Sequence, residues 1–240
     1  MGITATKTVR ELAVELPGAT RVFEKLGIDY CCGGAKSLKQ ACTEAKLPVD
    51  EVIQSLERSE QARAATVAER EWTTARLNEL TAYLVSKHHG YVRDETPRIQ
   101  QLLAKVVSVH GQNHPELRPI QEAFEDLANE LSAHMFKEEN VLFPYIDTMQ
   151  GAVDRGQPAP PPFFGTVRNP VQMMVMEHEG AGEKLKAMRE GSAGYTVPPD
   201  ACVTYATLYR ALAEFEKDLH THIHLENNIL FPRAVAMERS

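Results

Sequence analysis

The sequence predicts an all-α protein, in which an antiparallel four-helix bundle follows a small helical N-terminal domain. Four long stretches repeat their apolar residues with a helical period, over residues 72–110, 116–149, 168–190 and 199–230. Glycine and proline punctuate the breaks between them, and fairly short connections favour antiparallel neighbours. No stretch alternates apolar and polar residues, so we predict no sheet. Pro97 lies inside the first stretch and should kink that helix or end it.

The composition excludes several functional classes. The chain has 240 residues, of which 43% are hydrophobic and 25% are charged, as is usual for a globular protein of one to two domains. The net charge of −7 argues against a nucleic-acid-binding protein, because such proteins carry basic patches. There is no apolar run of about 18 residues and no apolar secretory signal. We therefore expect a cytoplasmic protein that binds neither nucleic acid nor a membrane.

Ahead of the bundle at residues 72–240, the sequence predicts a small helical domain over residues 1–57 and a polar, alanine-rich linker at 58–71. A domain of this size buries only a small core, so we expect it to rest on a partner surface. Its short helices have predicted N-caps and predicted ends. The caps are Thr8 and Ser37, and the ends are at Pro17, Gly27 and Pro48.

A duplicated motif places a candidate site in the bundle. HMFKEENVLFP at residues 134–144 aligns with HIHLENNILFP at residues 222–232, with six of eleven positions identical and an offset of 88 residues. His89 and His178 are 89 residues apart, so they fall in the same frame. Each long helix therefore contributes one histidine. Each pair of neighbouring helices places its two histidines at similar distances from the turn between them, so all four lie near one level of the bundle. The pair His178 and His222 matches less closely than the other two.

Two of these helices also contribute a carboxylate. In each copy of the motif a glutamate follows four residues after the histidine, which places both side chains on one helix face. Four imidazoles and two carboxylates predict a dinuclear metal site, in which each metal takes two histidines and the glutamates bridge both metals. Such donors suit iron, manganese or zinc, and bridging carboxylates with an oxo or hydroxo group favour iron. The six candidate metal ligands are His89, His134, Glu138, His178, His222 and Glu226.

The other five histidines are less suited to this site, because each lies at another level of the bundle, in a turn, or on another side of its helix. We interpret them as surface residues, or as residues just outside the metal ligands, and we expect two of the four cysteines in the core. The histidines in question are His88, His110, His114, His220 and His224, and the cysteines are Cys42 and Cys202.

The adjacent cysteines Cys31 and Cys32 precede Gly33 and Gly34, which allow an exposed and flexible turn. Neighbouring cysteines do not easily clamp one metal, and a disulfide between them is strained. One interpretation is a redox or persulfide-handling thiol pair, or a site that meets a target cluster. The alternative is a structural pair with one buried and one exposed cysteine.

These motifs resemble those of a known family. SAHMFKEENVLFP, MEHEGAGEKL and HIHLENNILFP resemble haemerythrin-like di-iron proteins. With DYCCGG at residues 29–34, nearly the whole chain is similar to the repair-of-iron-centres family of the YtfE/ScdA type, which has an ScdA-like N-terminal domain. The resemblance implies the same six ligands and two non-haem iron ions, oxo- and carboxylate-bridged. Oxygen-carrying haemerythrins have a further histidine where this chain has Gly182, which would leave both irons an open position.

The resemblance implies repair of iron–sulfur clusters damaged by oxidative and nitrosative stress, through iron donation or nitric oxide handling. The implied partners are damaged iron–sulfur proteins, with nitric oxide or oxygen as small ligands. Glu177, beside His178, is a candidate carboxylate partner of the site or a proton relay, and equally a solvated helix residue.

Two alternative functions remain open: a di-iron nitric oxide reductase, and a sensor module that binds oxygen or nitric oxide. A hydrolytic zinc pair has no second motif in its support. A ferritin-like oxidase is disfavoured, because no ligand histidine has a glutamate three residues before it. The sequence leaves open whether the protein is an enzyme, and we expect a homodimer.

Overall fold

The computed structural model describes residues 3–16, 18–30, 34–63 and 72–238. Regular structure in these residues is helical, and their β pairing is limited to one isolated bridge between Thr8 and Ser37. The all-α prediction is therefore confirmed. None of the helices in the described ranges is long and apolar enough to cross a membrane.

The chain divides into two compact units, one of residues 1–76 with 220–233 and the other of residues 77–219 with 234–240. In the first unit, two predicted caps are confirmed. Thr8 accepts a hydrogen bond from the Glu11 backbone N–H at 3.1 Å, and Ser37 accepts one from Gln40 at 3.2 Å. The helices of this unit's N-terminal part are α1 (Val9–Glu15), α2 (Ala19–Leu26), α3 (Leu38–Glu44) and α4 (Val49–Arg63).

Helix α4 continues beyond residue 57 to Arg63, so the start of the predicted linker is helical. Residues 64–71 lie outside the described ranges. The boundaries proposed at 57 and 71 stay a prediction.

The described residues after residue 76 form four long helices, and three of these are interrupted by a short π-helical turn. Residues 220–233 of the last long helix belong to the first unit. Helix α5 packs against α8 and α6 packs against α7, so the first two long helices are antiparallel, while α9 packs against α7. The segments are α5 (Leu77–Tyr83), π turn Leu84–His89 and α6 (Gly90–His110); α7 (Leu117–Lys137), π turn Glu138–Leu142 and α8 (Phe143–Asp154); α9 (Arg168–Gly191); α10 (Val203–Leu225), π turn Glu226–Leu230 and α11 (Phe231–Met237).

Pro97 lies within α6 and does not end it, so of the two predicted outcomes the helix end is excluded, while the kink stays a prediction. One face of α6 is anchored in the bundle core on both sides of the proline, through Val92, Ile99 and Leu103. This packing holds the helix together although Pro97 cannot donate a backbone hydrogen bond.

Candidate metal centre

The π-helical turns coincide with candidate ligands. One turn ends at His89, and the other two begin at Glu138 and Glu226. A π-helical turn contains one residue more than an α-helical turn, and this extra residue changes the direction of the side chains around it. Such turns are frequent at functional sites. The duplicated motif is thus duplicated in backbone geometry as well as in sequence.

Proline explains why the motif widens the helix. Pro144 lacks an N–H group, and its ring crowds the carbonyl group four residues earlier, so a regular α-helical turn is disfavoured there. The N–H of Phe143 instead bonds the Glu138 carbonyl five residues back. Phe231, just before Pro232, bonds the Glu226 carbonyl in the same way.

Within the second unit, which we call the bundle unit, four of the predicted ligands converge. The Nε2 atoms of His89 and His134 lie 3.4 and 3.3 Å from Oε2 of Glu138. The Nε2 atom of His178 lies 3.0 Å from that of His134. In the other unit, Nε2 of His222 lies 2.9 Å from Oε1 of Glu226. Every one of these rings presents Nε2 to the neighbouring candidate ligand.

The six residues form two groups that could each hold a metal ion. In each group, four residues offer ligand atoms that all lie within 4.8 Å of one another, and all the residues are buried. Glu138 and Glu226 belong to both groups. The first group adds His89 and His222, and the second adds His134 and His178.

The donor set fits a transition metal. Imidazole nitrogen with carboxylate oxygen suits iron, zinc or manganese, whereas calcium and magnesium prefer oxygen alone. Glu138 and Glu226 are both 0% exposed. Burying an ionised carboxylate costs several kcal/mol unless a cation compensates its charge, and a bound metal ion supplies that charge.

Glutamates outside the ligand set hold two of the ligand rings. The Nδ1 atom of His89 lies 2.6 Å from Oε1 of Glu139, which Arg93 also contacts. Burial raises the pKa of Glu139, but the hydrogen bonds from His89 and Arg93 outweigh it and lower the pKa overall. An N–H donated from Nδ1 to a carboxylate fixes the tautomer that leaves Nε2 available to a metal.

Glu177 occupies the equivalent position at a second ligand. Its Oε2 lies 2.8 Å from Nδ1 of His134, and its other oxygen contacts Lys137. The hydrogen bond from His134, supported by Lys137, lowers the pKa of Glu177 to about 2. Sequence reasoning singled out Glu177 but missed Glu139, for which it held no signal because the second motif copy has Asn227 at that position.

Replacing Glu177 by Gln should weaken metal binding by about 10- to 100-fold while leaving all six candidate ligands in place. The amide cannot carry the negative charge that orients and polarises the His134 ring. Competition for iron against a chelator measures the change. Glu179→Gln is the matched control, because Glu179 is an exposed glutamate two residues further along α9. Equal affinities of the two variants would show that Glu177 does not act on the site.

Two other histidines are buried rather than at the surface. His88 is 2% exposed, and its Nδ1 lies 3.0 Å from Oδ2 of Asp218. His224 packs its ring on Tyr30, with ring centroids 5.4 Å apart. Burial lowers the pKa of His224 to about 4. The structure therefore uses both as internal packing residues, beside rather than among the candidate ligands.

The two cysteines expected in the core differ. Cys42 is buried, as predicted, and burial raises the pKa of its thiol. Cys202 is exposed, so the core prediction is wrong. The fourth long helix begins at Val203, which puts Cys202 at the end of the bundle rather than within a helix face.

Cys31, Cys32 and Gly33 lie outside the described residues. The turn's last residue, Gly34, is described, and a Cβ there would come within 2.8 Å of the Tyr30 carbonyl oxygen. The close approach of these two backbone segments explains why glycine ends the DYCCGG motif.

Comparison with known proteins identifies the family. Residues 80–234 match the haemerythrin HHE cation-binding domain, and residues 5–60 match ScdA_N, a domain of unknown function. A probable iron–sulfur cluster repair protein of Haemophilus influenzae is 33% identical over 231 residues, 96% of this chain and 97% of the relative. The chain belongs to the family of YtfE-type iron–sulfur cluster repair proteins.

Further members of the repair family agree over almost their full length. The iron–sulfur cluster repair protein YtfE of Pectobacterium carotovorum is 34% identical over 232 residues, 97% of this chain and 98% of the relative. That of Escherichia coli O81 is 35% identical over 228 residues, 95% and 96% of the two chains. The resemblance stated from the motifs is thus confirmed. The haemerythrin match spans all six candidate ligands and implies that the bundle of this repair-family chain binds iron.

Proposed function

We propose that this chain repairs iron–sulfur clusters damaged by oxidative and nitrosative stress, using a di-iron centre. The observation that carries the proposal is that two groups of buried histidines and glutamates share both of their carboxylates. A carboxylate common to two groups can bridge two cations. The residues that would hold the iron pair are His89, His134, Glu138, His178, His222 and Glu226.

Bound iron supplies material for rebuilding a cluster, or a redox-active site for a small oxidant such as nitric oxide. The chain's own residues determine how that iron is held. The histidines would bind iron through Nε2, because Glu139 and Glu177 contact Nδ1 of His89 and His134 and orient these two rings. The two shared glutamates are buried, so water has little access to them.

The ligand count favours open positions on the metals. Each group offers four protein ligands, fewer than the six that iron commonly takes. Gly182, one turn after His178, has no side chain to fill a further position. Open positions would admit a small ligand and would ease the release of iron, as both donation and nitric oxide handling require.

The clients we propose are damaged iron–sulfur proteins, as the relatives' names suggest, and we propose the cytoplasm as the compartment. Cys31 and Cys32 are proposed as redox or persulfide-handling thiols. In support, Asn228 donates a hydrogen bond at 3.1 Å to the carbonyl of Tyr30, the residue before the pair. Asn228 is two residues from Glu226. A homodimer stays a prediction.

The test of this function uses a [4Fe–4S] protein whose cluster has been damaged with nitric oxide. The purified full-length chain should carry two iron ions, lose iron during incubation and restore the client's cluster. His222→Ala should carry clearly less iron and restore little, because it removes one of the two histidines of the first group. Elemental analysis and the client's cluster absorbance are the measurements. His114→Gln, a histidine outside both groups, should behave as the native chain.

Other outcomes would contradict iron donation. Steady consumption of nitric oxide with a reductant, without loss of iron, would make the chain a nitric oxide reductase. Reversible binding with neither turnover nor iron loss would make it a sensor module. If the protein carried zinc in place of iron after growth with excess iron, both iron donation and nitric oxide reduction would be excluded.

A further inference from the structure

A second group of reactive side chains lies at another part of the bundle unit, around an exposed thiol. Cys202 immediately precedes α10, and His110 is the last residue of α6. The Nε2 atom of His110 lies 3.3 Å from Sγ of Cys202, within hydrogen-bonding distance for sulfur. Nucleophile and imidazole in direct contact form the arrangement that activates cysteine in many proteins.

The start of α10 adds to this activation. The backbone carbonyl of Cys202 accepts the N–H of Ala206 at 3.0 Å, so Cys202 occupies the N-cap position. The N–H groups of the first turn carry partial positive charge, which stabilises a thiolate at this position. A hydrogen bond from the Tyr205 backbone and the contact with His110 lower the pKa of the Cys202 thiol to about 7.

The charged groups around the pair are engaged with one another. Asp200 and Glu116 both contact His114, at 3.1 and 3.0 Å, and their hydrogen bonds raise the pKa of that imidazole. The ring of Tyr205 lies 5.3 Å from the ring of His110. Protonated His114 therefore offsets part of the negative charge of these two carboxylates, which reduces their repulsion of a thiolate.

We propose that Cys202 and His110 form a nucleophilic thiol–imidazole pair that reacts with low-molecular-weight disulfides. The thiol proton passes to His110, and the thiolate attacks one sulfur of the disulfide. The Cys202 Sγ–S bond forms as the original S–S bond breaks. The leaving thiolate takes a proton from His110, so that one thiol is released for each mixed disulfide formed. The attacking thiol is oxidised, and the released sulfur is reduced.

This modification site is separate from the candidate metal centre. His110 follows His89 by 21 residues along the same long helix, which is about 30 Å. Among the described residues, the groups with three or more metal-ligand atoms close together are the two that hold the candidate iron ligands. The geometry therefore favours a reactive thiol over a further metal site.

The test is performed on the full-length chain with Cys31→Ser and Cys32→Ser, so that two thiols remain. Oxidised glutathione is the probe, and intact-mass and peptide mass spectrometry locate the adduct. We expect the adduct on Cys202 and none on buried Cys42, which serves as the internal reference. The rate of iodoacetamide alkylation of Cys202 should rise with pH through a midpoint near 7, below the ordinary value of about 8.5.

His110→Gln should lower the alkylation rate at pH 7 about fivefold and shift the midpoint upward, because the glutamine side chain cannot take the proton. Ser108→Ala is the control, because Ser108 is an exposed residue of the same helix, α6, and its hydroxyl donates to the Lys105 carbonyl rather than to the thiol. Far-ultraviolet circular dichroism confirms folding of both variants. An unchanged rate in His110→Gln, no glutathione adduct on Cys202, or stoichiometric zinc that protects the thiol would each overturn the proposal.

Discussion

Glu138→Gln is expected to empty both metal positions, whereas His178→Ala is expected to empty one. Glu138 belongs to both groups of ligand atoms, and His178 belongs to one. An amide in place of the carboxylate removes the negative charge that both cations need and leaves each with one ligand fewer. The iron content of purified protein should therefore fall to near zero in the first variant and to about half of the native value in the second.

The measurement is elemental analysis after expression with excess iron, with circular dichroism to confirm that each variant folds. Glu122→Gln is the matched control, because Glu122 is an exposed glutamate on the same helix, α7. It should retain the native iron content. If Glu138→Gln and His178→Ala lost the same amount of iron, the shared carboxylate would be a ligand of one metal only, and the bridged di-iron proposal would fail.

The candidate site was largely predictable from sequence because the chain contains an internal repeat, whose two copies can be compared with each other. The duplicated motif at residues 134–144 and 222–232 separates constrained positions from variable ones. His89 and His178 followed from the frame of the repeat. The structure brings both residues into the same groups as the motif's histidines and glutamates. Periodicity likewise predicted the long helices, because each has a continuous apolar face.

The features that were missed depend on contacts that one sequence does not reveal. Glu139 matters through a histidine 50 residues away, and no spacing rule connects the two. The exposure of Cys202 depends on where the last long helix begins. The predicted stretch started at residue 199, whereas α10 starts at Val203, and this difference moves Cys202 from a helix face to the cap. The helix continues through Pro97 because packing outweighs local propensity.

Phe124→Ala should destabilise the protein by about 3–5 kcal/mol, the usual cost of removing a fully buried phenylalanine. Phe124 is 0% exposed, and its ring meets Phe215 edge to face, with centroids 5.4 Å apart. The substitution leaves a cavity between α7 and α10 within the bundle. For a chain of this size the midpoint of thermal unfolding should fall by on the order of 10 °C.

Phe136→Ala is the matched control for this loss, and it also separates stability from metal binding. Phe136 lies on the same helix and is 66% exposed, so its removal should change the free energy of unfolding by less than about 0.5 kcal/mol. Phe136 lies between the candidate ligands His134 and Glu138 in the sequence, but its side chain faces away from them. The Phe136→Ala variant should therefore keep the native iron content. Both variants are compared at equal iron content, because bound metal itself stabilises the folded state. If both substitutions lowered the free energy of unfolding equally, Phe136 would have to be buried by another surface in solution. Only a buried ring gains a transfer free energy as large as that of Phe124.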